Sequence, residues 1–391
     1  MVNETILITG GAGFIGSNFT RWWAARHPDS RIVVLDALTY AGNLANLADL
    51  RDCPRFRFYP GRIEDRTVVE GIFRYEKITH VVNFAAESHN DRSMLDPTGL
   101  IATNVTGVSV LLSVAASYGI ERFVHVSTDE VYGHIRTGRF QETDPLQPRT
   151  YYSAGKAGGE MQVRAHFIAT HLPVMTTRGS NTFGPYQFPE KILPFFITRA
   201  LDHRPLPLYG DGSQVRDWLY VDDHCSGIGA VLEHGSPGEA YNIGGGNELT
   251  NASLTERILR LLDRPDDLIR HIPDPRGAAH DARYDLDCRK SEAIGSRPLH
   301  DYDLSHTVLT CSGSTDPRWD RTCKACLVEH KISAFREVGW ARSARTPAVV
   351  ARQSSSPMGV STSCTSAMCD TSPRPDPTGI FSWLVSTATN P

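Results

Sequence analysis

Residues 5–16 read TILITGGAGFIG, and this stretch decides the fold. Thr5–Thr9 is apolar and β-branched, which is typical of a strand buried in a parallel sheet. A glycine-rich loop follows, and a helical pattern then extends to His27. Glycines let the backbone approach a pyrophosphate, and the free N–H groups at a helix start favour anionic oxygens. The stretch predicts a phosphate cradle, although its GxxGxxG spacing differs from the commoner GxGxxG.

A second strand pattern supplies the other half of a dinucleotide signature. Arg31–Leu35 is again apolar and β-branched, and Asp36 follows it, twenty residues after Gly16. A carboxylate at that place can accept hydrogen bonds from the adenosine ribose hydroxyls, and it repels a 2′-phosphate. The two motifs together predict binding of NAD rather than NADP.

Strand and helix patterns then alternate. Strands are expected at Phe56–Tyr59, His80–Ala85 and Arg122–Ser127, and helices at Asp65–Tyr75 and Asp96–Tyr118. This alternation predicts an α/β fold with a doubly wound parallel sheet and right-handed crossovers. Ligands of such sheets bind beyond the carboxyl ends of the strands, where the glycine loop, Asp36 and Thr128 all fall.

Residues 124–159 read VHVSTDEVYGHIRTGRFQETDPLQPRTYYSAGKAGG and concentrate reactive side chains. Tyr152 and Lys156 are four residues apart at the head of a helical pattern, Ser153–His171, so they share one helix face. An ammonium near the phenol would lower the pKa of Tyr152 and make it a usable base near neutral pH. Tyr-x-x-x-Lys is also common by chance, so its neighbours have to support this interpretation.

Two adjacent acids, Asp129 and Glu130, follow Thr128 at the end of the expected strand. Adjacent acids are often a solvated loop feature. At the ligand-facing end of a buried strand they could instead divide acid and base roles between them. The spacing alone leaves both interpretations open.

Composition argues against several classes of protein. The net charge is −4 and the pI is about 6.4, which gives no support for nucleic-acid binding. No apolar run is expected to reach the roughly 18 residues of a membrane span, and Glu4 stands where a signal peptide would be basic and then apolar. We expect a cytoplasmic protein with reduced thiols. Cys323 and Cys326 form one CxxC near His330, but no second pair completes a zinc site, so no metal is expected.

Eight segments in chain order carry a family resemblance. They are GGAGFIGSNF, LTYAGNLANL, FAAESHNDRS, STDEVYG, YSAGKA, SNTFGPYQFPEK, YGDGSQVRDWLYVDDH and YNIGGGNELTN. From the N-terminus to about Tyr284 the chain resembles the dTDP-glucose 4,6-dehydratases, which are extended short-chain dehydrogenases/reductases. The Thr128-Asp129-Glu130 triplet distinguishes this family from related epimerases.

The resemblance implies a hydro-lyase reaction that yields dTDP-4-dehydro-6-deoxy-glucose and water. Tyr152 would take the proton of the sugar 4-hydroxyl while a hydride passes from C4 to NAD, with Lys156 lowering the phenol's pKa and Thr128 bonding the 4-oxygen. Glu130 would then remove the C5 proton, Asp129 would protonate the leaving C6 hydroxyl, and the hydride would return to C6. Oxidation and reduction act on one substrate, so NAD need not leave.

The resemblance also implies two sets of contacts and an architecture. Cofactor contacts fall to Gly10, Gly13, Phe14, Ile15, Gly16, Asp36, Ala37, Leu38, Thr39, Gly42, Ile63, Phe84, Ala85, Ala86, Ser88, Thr103, Tyr152, Lys156 and Thr182. Substrate contacts fall to Ser88, Thr128, Asn181, Lys191, Pro207, Leu208, Tyr209, Arg216, Asn251 and His280. The expected architecture is a Rossmann-type NAD domain over residues 1–180 with a smaller, interleaved α/β substrate domain over residues 181–308. A homodimer is implied too, with the helices after Asp96 and Tyr152 as its candidate interface.

Three positions depart from the family pattern. Arg62 stands where the family has an acid near adenine, and Gly155 stands where a hydroxyl residue is usual. A glycine there costs up to about 1 kcal/mol of helix stability. The family's short Arg-x-Gly-His-Asp run is stretched here to 276–281.

Residues 309–391 form an atypical, compositionally biased tail that is expected to be poorly ordered. It could reflect a reading-frame change or a real extension. Two rival functions stay open beside the dehydratase. One is a related nucleotide-sugar epimerase or decarboxylase. The other is a catalytically dead homologue that binds NAD or a sugar nucleotide.

Overall fold

The computed structural model describes residues 4–93, 96–277 and 280–298, with backbone alone at 91 and 92. The predicted tail 309–391, the CxxC at Cys323 and two residues of the stretched run, 278 and 279, lie outside the described residues.

The strands of the described residues alternate with helices through the first half of the chain, as predicted. They are β1 Thr5–Thr9, β2 Arg31–Asp36, β3 Phe56–Pro60, β4 His80–Asn83, β5 Arg122–Thr128, β6 Val174–Gly179, β7 Asn181–Phe183, β8 Leu206–Tyr209, β9 Val215–Tyr220, β10 Ala240–Ile243, β11 Glu248–Thr250 and β12 Ile269–Ile272.

The described residues form ten helices, some on the two faces of the main sheet and others in a second cluster. They are α1 Phe14–Arg26, α2 Arg66–Glu76, α3 Asn90–Ser93, α4 Pro97–Ile101, α5 Val108–Tyr118, α6 Tyr151–Thr170, α7 Ile192–Leu201, α8 Val221–His234, α9 Asn251–Leu261 and α10 Arg289–Glu292. A π-helical segment, Ala102–Gly107, joins α4 to α5, and 3₁₀ turns lie at Leu44–Leu50, Asp129–Tyr132 and Asp266–Leu268.

Seven parallel strands form the main sheet in the order β3-β2-β1-β4-β5-β6-β10. The chain order reverses between β1 and β4, so the sheet has a topological switch point beside the glycine loop. One face packs on α1 and α8 through residues such as Phe19 and Ile228, and the other on α2 and α5 through residues such as Phe73 and Leu112. The Rossmann-type, doubly wound fold predicted from the alternation is confirmed.

Two small sheets and helices α7 and α9 form a second cluster. Their strand orders are β11-β9-β7 and β12-β8. The cluster has its own core, in which Phe183, Leu193, Trp218 and Ile258 are buried. Strand β10 lies between these elements in the chain but joins the main sheet beside β6, as Ala240 pairs with Thr176.

Two predicted elements need correction. The strand expected to reach Ala85 ends at Asn83, because the backbone of the following loop bonds elsewhere: the N–H of Glu87 donates to Asn104 Oδ1 (2.8 Å). The helix expected over Asp96–Tyr118 is divided by the π segment that contains Asn104. A π turn contains one more residue than an α-helical turn. Here it accompanies the hydrogen bond between the Asn104 side chain and the loop at Glu87.

The same stretch corrects the expectation about apolar runs. Pro97–Tyr118, with a mean hydropathy of 1.7, is long and apolar enough to cross a membrane by length and composition. Half of it is buried inside the protein, where α5 packs against α2 and α6. This burial is typical of a core helix.

Candidate active site

The glycine loop between β1 and α1 has the shape of a phosphate cradle. Gly10 has a φ of +68°, and a Cβ there would lie 2.7 Å from the backbone nitrogen of Ala85. A Cβ at Gly16 would lie 2.3 Å from the carbonyl oxygen of Gly10. Gly13 caps α1 without a side-chain hydrogen bond, so no side chain of the cap occupies the N–H groups at the helix start. These features fit a pyrophosphate.

Asp36 lies at the carboxyl end of β2, next to this loop. Its Oδ2 accepts a hydrogen bond from the backbone N–H of Ala12 (2.9 Å), and its Oδ1 accepts one from that of Leu38 (2.8 Å). Burial raises the pKa of Asp36, and the two N–H groups oppose that rise. Each carboxylate oxygen keeps lone-pair capacity for a ribose hydroxyl. The Asp36 carboxylate, as a hydrogen-bond acceptor, and the glycine cradle therefore fit a dinucleotide such as NAD.

The side chains of other predicted cofactor residues lie in different environments. Phe84 packs against the core beside Phe19, with ring centroids 5.3 Å apart, so the wall it forms is apolar. The Ile63 side chain is buried in the main core, which leaves only its backbone to face a ligand. The Thr103 hydroxyl donates to Glu64 Oε1 (2.6 Å), and Arg62 lies 3.8 Å from the same carboxylate.

The catalytic turn follows β5 directly. The Thr128 hydroxyl donates to Asp129 Oδ1 (3.0 Å), and the Asn90 side-chain amide donates to Glu130 Oε2 (3.0 Å). Asp129 is 2% exposed, and its Oδ2 has no hydrogen-bond partner among the described residues. Burial, and then the charge of Glu130, raises the pKa of Asp129 well above its usual range. Asp129 is thus a carboxyl whose protonated form is favoured by burial, and it lies beside a second carboxyl that is only half-buried.

Tyr152 lies in the first turn of α6, which begins with a capping box at Thr150. Burial, then Glu130 and Asp129, raises the pKa of Tyr152, while the hydrogen bond between its hydroxyl and that of Thr128 lowers it. Tyr152, Thr128, Asp129 and Glu130 are therefore brought together. The hydroxyl of Thr128 links the phenol to the acid pair.

Lys156 lies one turn further along α6 and is also buried. Its ammonium donates to the carbonyl oxygen of Val126 (2.7 Å), and burial lowers its pKa to about 8. The expected lowering of the pKa of Tyr152 by Lys156 does not appear. Burial, together with the charges of Glu130 and Asp129, raises the pKa of the phenol instead.

Gly155 has a packing reason that sequence reasoning missed. A Cβ there would lie 2.2 Å from Leu100 Cδ2, and one at Gly159 would lie 2.6 Å from the carbonyl oxygen of Asn104. These glycines let α6 approach the π segment closely. Asn104 in turn donates to the carbonyl of Glu87 (2.9 Å) and accepts from its N–H, which fixes the loop that precedes Ser88.

The predicted substrate residues lie on two sides of the acid pair. Lys191 donates to the carbonyl oxygen of Ser88 (2.9 Å), which joins α7 to the loop after β4. The Asn181 side-chain oxygen is buried without a hydrogen-bond partner among the described residues. Thr182 shares its hydroxyl with His224 Nδ1 (2.8 Å).

Arg216 is close enough to Asp129 to lower the pKa of that carboxyl. Its guanidinium stacks 4.6 Å over the Tyr284 ring and donates to the carbonyl oxygens of Val215 (2.7 Å) and Asp281 (2.9 Å). Each terminal nitrogen retains a second N–H for a ligand.

The outer substrate residues are less uniform. The His280 ring nitrogen lies 2.5 Å from Asp274, and the ring meets Tyr209 edge-on at 6.2 Å. Asn251 begins α9, and its amide lies 3.5 Å from Gln214. Leu208 is buried in the core of the second cluster, so only its backbone can contact a substrate. Its neighbour Pro207 is half-buried.

Comparison with known proteins agrees with this arrangement. A family model described as GDP-mannose 4,6 dehydratase matches residues 7–292. The chain is 48% identical over 293 residues to the low-salt glycan biosynthesis protein Agl12 of Haloferax volcanii, covering 75% of this chain and 93% of that protein. It is 45% identical over 304 residues to a dTDP-glucose 4,6-dehydratase of Actinoplanes sp., covering 76% of this chain and 93% of that protein.

A solved structure extends the likeness to three dimensions. The dTDP-glucose 4,6-dehydratase DesIV from Streptomyces venezuelae, determined with NAD bound, superposes with a TM-score of 0.76 at 46% identity, covering 79% of this chain and 97% of that one. The chain therefore belongs to the nucleotide-sugar dehydratase family whose model is described as GDP-mannose 4,6 dehydratase.

Proposed function

We propose that the protein is an NAD-dependent dTDP-glucose 4,6-dehydratase, a hydro-lyase that forms dTDP-4-dehydro-6-deoxy-glucose and water. One observation carries the proposal. A buried carboxyl whose pKa is raised well above its usual range (Asp129) lies directly beside a half-buried one (Glu130), and both raise the pKa of Tyr152. Elimination needs an acid and a base at neighbouring carbons, and this pair supplies both.

The residues divide the proton transfers among them. Tyr152 takes the proton of the sugar 4-hydroxyl, and Thr128 holds the 4-oxygen and the phenol together. Glu130 removes the C5 proton, which a 4-ketone makes acidic, and returns a proton to C5 when the hydride reaches C6. Asp129 gives its proton to the departing C6 hydroxyl, which leaves as water. Bound NAD supplies a cationic ring that accepts a hydride from C4 and returns it at C6. Lys156, as an ammonium, holds positive charge on the α6 face that carries the phenol.

The cofactor residues are proposed to act as a cradle and two walls. Gly10, Gly13 and Gly16 receive the pyrophosphate, and Asp36 receives the adenosine ribose. The remaining contacts fall to the Ala37–Thr39 turn with Gly42, the loop 84–88, and Thr103 with Thr182. Arg62 stands where the family has an acid near adenine, and its side chain lies 3.8 Å from that of Glu64. Glu64 is proposed to take the place of that acid.

The second cluster, formed by the two small sheets with α7 and α9 within the predicted substrate domain 181–308, is proposed to hold the nucleotide sugar. Arg216 can pair with the diphosphate in a bidentate way, which a lysine could not copy. Asn181 and Lys191 approach the sugar end, while Tyr209, Asn251 and His280 lie towards the nucleotide end.

We also propose a homodimer in the cytoplasm, where NAD and nucleotide sugars are both available. Helices α4 and α6 expose large apolar side chains: Ile101 (46%), Tyr151 (55%), Met161 (49%) and Ile168 (61%). Met161 and Ile168 are seven residues apart and so share one face of α6. Exposed apolar side chains clustered on neighbouring helices are typical of an interface between subunits.

The decisive experiment incubates the purified protein and NAD with dTDP-glucose, and separately with UDP-glucose. The expected product is a 4-keto-6-deoxy sugar from dTDP-glucose. Tyr152→Phe is the matched control, since it removes one hydroxyl and should abolish turnover. A 4-epimer as product would support the epimerase instead, and binding without turnover would support a dead homologue.

A further inference from the structure

A buried polar cluster lies beneath the catalytic residues and is not used in the proposed chemistry. We call it the brace: Glu160, Arg178, Tyr132 and Asn242. Arg178 contacts the Glu160 carboxylate through Nη2 (2.7 Å) and Nε (3.1 Å), and its Nη1 donates to the Tyr132 hydroxyl (2.6 Å). That hydroxyl donates to Asn242 Oδ1 (2.7 Å). The guanidinium also stacks 4.7 Å from the centre of the Tyr132 ring.

Each member of the brace comes from a different element of the site. Glu160 lies one turn after Lys156 on α6, and Tyr132 ends the 3₁₀ turn that carries Asp129 and Glu130. Arg178 is on β6, and Asn242 is on β10. One guanidinium therefore connects the helix of the hydride-transfer pair to the turn of the acid–base pair.

Stability is a weak reason for such a cluster. Burying an ion pair removes two charges from water, and well-packed apolar side chains of similar volume often do as well or better. What the polar version adds is a fixed direction for each partner, because Arg178 can contact Glu160 and Tyr132 together only in one orientation. The arrangement thus sets the register between α6 and the turn.

The brace also provides the charge that faces Lys156. The groups around that ammonium are the Val126 carbonyl and His125 from β5, and Glu160, one turn further along α6. His125 is buried and its pKa is lowered well below the usual value, so it is neutral. Glu160 is thus the carboxylate whose charge favours the protonated form of Lys156.

We propose that Glu160 is a positioning residue, held by Arg178, which Tyr132 in turn holds, and that it keeps Lys156 as an ammonium in register with the turn carrying Asp129 and Glu130. The inference deepens the proposed dehydratase function and rests on it for its catalytic meaning. The protonation of Lys156, however, can be measured without turnover.

The first test is a titration of Lys156 by side-chain nitrogen NMR of lysine-labelled protein. The chain has six lysines, so the signals are few, and Lys156→Met assigns the relevant one. Glu160→Gln should shift the Lys156 titration down by about one pH unit, and Glu160→Asp should restore most of it. Glu76→Gln is the matched control, because Glu76 is a buried acid that also pairs with an arginine, Arg31 (2.5 Å). It should leave the titration unchanged.

The second test uses Tyr132→Phe, which removes one hydroxyl and keeps the charges. The Lys156 titration should stay in place, while exchange of the substrate C5 proton with solvent should slow about tenfold as the turn loses its register. A Lys156 titration that Glu160→Gln leaves unchanged, or unchanged C5 exchange in Tyr132→Phe, would overturn the proposal. If the unmodified protein does not turn over dTDP-glucose, the proposed function fails, but the titration still decides the role of Glu160.

Discussion

Replacing Asp129 by asparagine separates the two halves of the proposed reaction. The amide has the same shape as the carboxyl, and its oxygen can keep the hydrogen bond from Thr128 that Asp129 Oδ1 receives (3.0 Å). What the variant loses is the proton that the carboxyl would give to the leaving C6 hydroxyl. Tyr152 and Glu130 keep their places, so oxidation at C4 and loss of the C5 proton should continue.

The size of the effect follows from the burial of the acid. A positioned general acid contributes about 10²–10⁴-fold, or about 3–5 kcal/mol of barrier. Asp129 is only 2% exposed, so water has little access to replace its proton. We therefore expect the upper part of the range, a dehydration rate reduced by about 10³–10⁴-fold, with proton exchange at C5 altered by less than about tenfold.

The assay is a reaction in heavy water, with recovered substrate and product analysed by mass spectrometry. Asp129→Asn should return dTDP-glucose that carries deuterium at C5 and form little 4-keto-6-deoxy sugar. Glu130→Gln is the matched variant and should lose both the exchange and the product. An Asp129→Asn enzyme that dehydrates at the normal rate, or that loses C5 exchange while remaining folded, would refute the assignment of the acid.

Four further outcomes are expected. Burial lowers the pKa of Lys156 to about 8, so the rate of hydride transfer, which depends on its ammonium, should fall as the pH rises through about 8. A hydride-transfer rate that stays constant from pH 7 to 10, measured by absorbance in a single turnover, would contradict this. The folded-state pKa of Asp129 is raised, so its ionisation as the pH rises should lower the melting temperature of the unmodified protein. Asp129→Asn lacks this ionisable group, so its melting temperature should increase relative to that of the unmodified protein over the same pH range. Gly159→Ala should lower the free energy of unfolding in urea by about 1–3 kcal/mol, because its Cβ would meet a backbone oxygen at 2.6 Å, whereas Gly158→Ala meets only a side-chain methyl at 2.9 Å and should cost less. Asp36→Asn turns an acceptor into a donor facing a backbone N–H, so NAD affinity measured by calorimetry should fall about 10–100-fold; equal affinity would count against the assigned role.

The fold could be predicted from the sequence because the main sheet is built from local signals. Ile6–Ile8 and Ile32–Leu35 are apolar throughout, as the centres of strands covered on both faces are expected to be. The division of the Asp96–Tyr118 helix could not be predicted, because the π turn accompanies a contact between Asn104 and Glu87, which are far apart in the pattern. Hydrophobic periodicity contains no information about such a partner.

The candidate site was predictable to a similar depth. Thr128, Asp129, Glu130 and Tyr152 meet because strand ends converge at one edge of a parallel sheet. Glu160 and Arg178 went unnoticed, since a lone acid and a lone arginine in the sequence look like surface charges. Only their burial and their distance of 2.7 Å identify them as a pair. The direction of the Tyr152 pKa likewise depends on charges that the i,i+4 spacing to Lys156 does not reveal.

The place of β10 in the main sheet has a consequence for how the protein is made. Its partner β6 leaves the ribosome more than sixty residues earlier, so the edge of the sheet beside β5 and β6 stays open while β7, β8 and β9 are synthesised. Strand pairs that are so distant along the chain form slowly, because the entropy cost of closing a long loop comes before the strand contacts that offset it. Asn242, which anchors the Tyr132 hydroxyl, arrives with that late strand. A nascent chain would therefore carry every catalytic residue before it could hold them in place, and the working site would be among the last features to form.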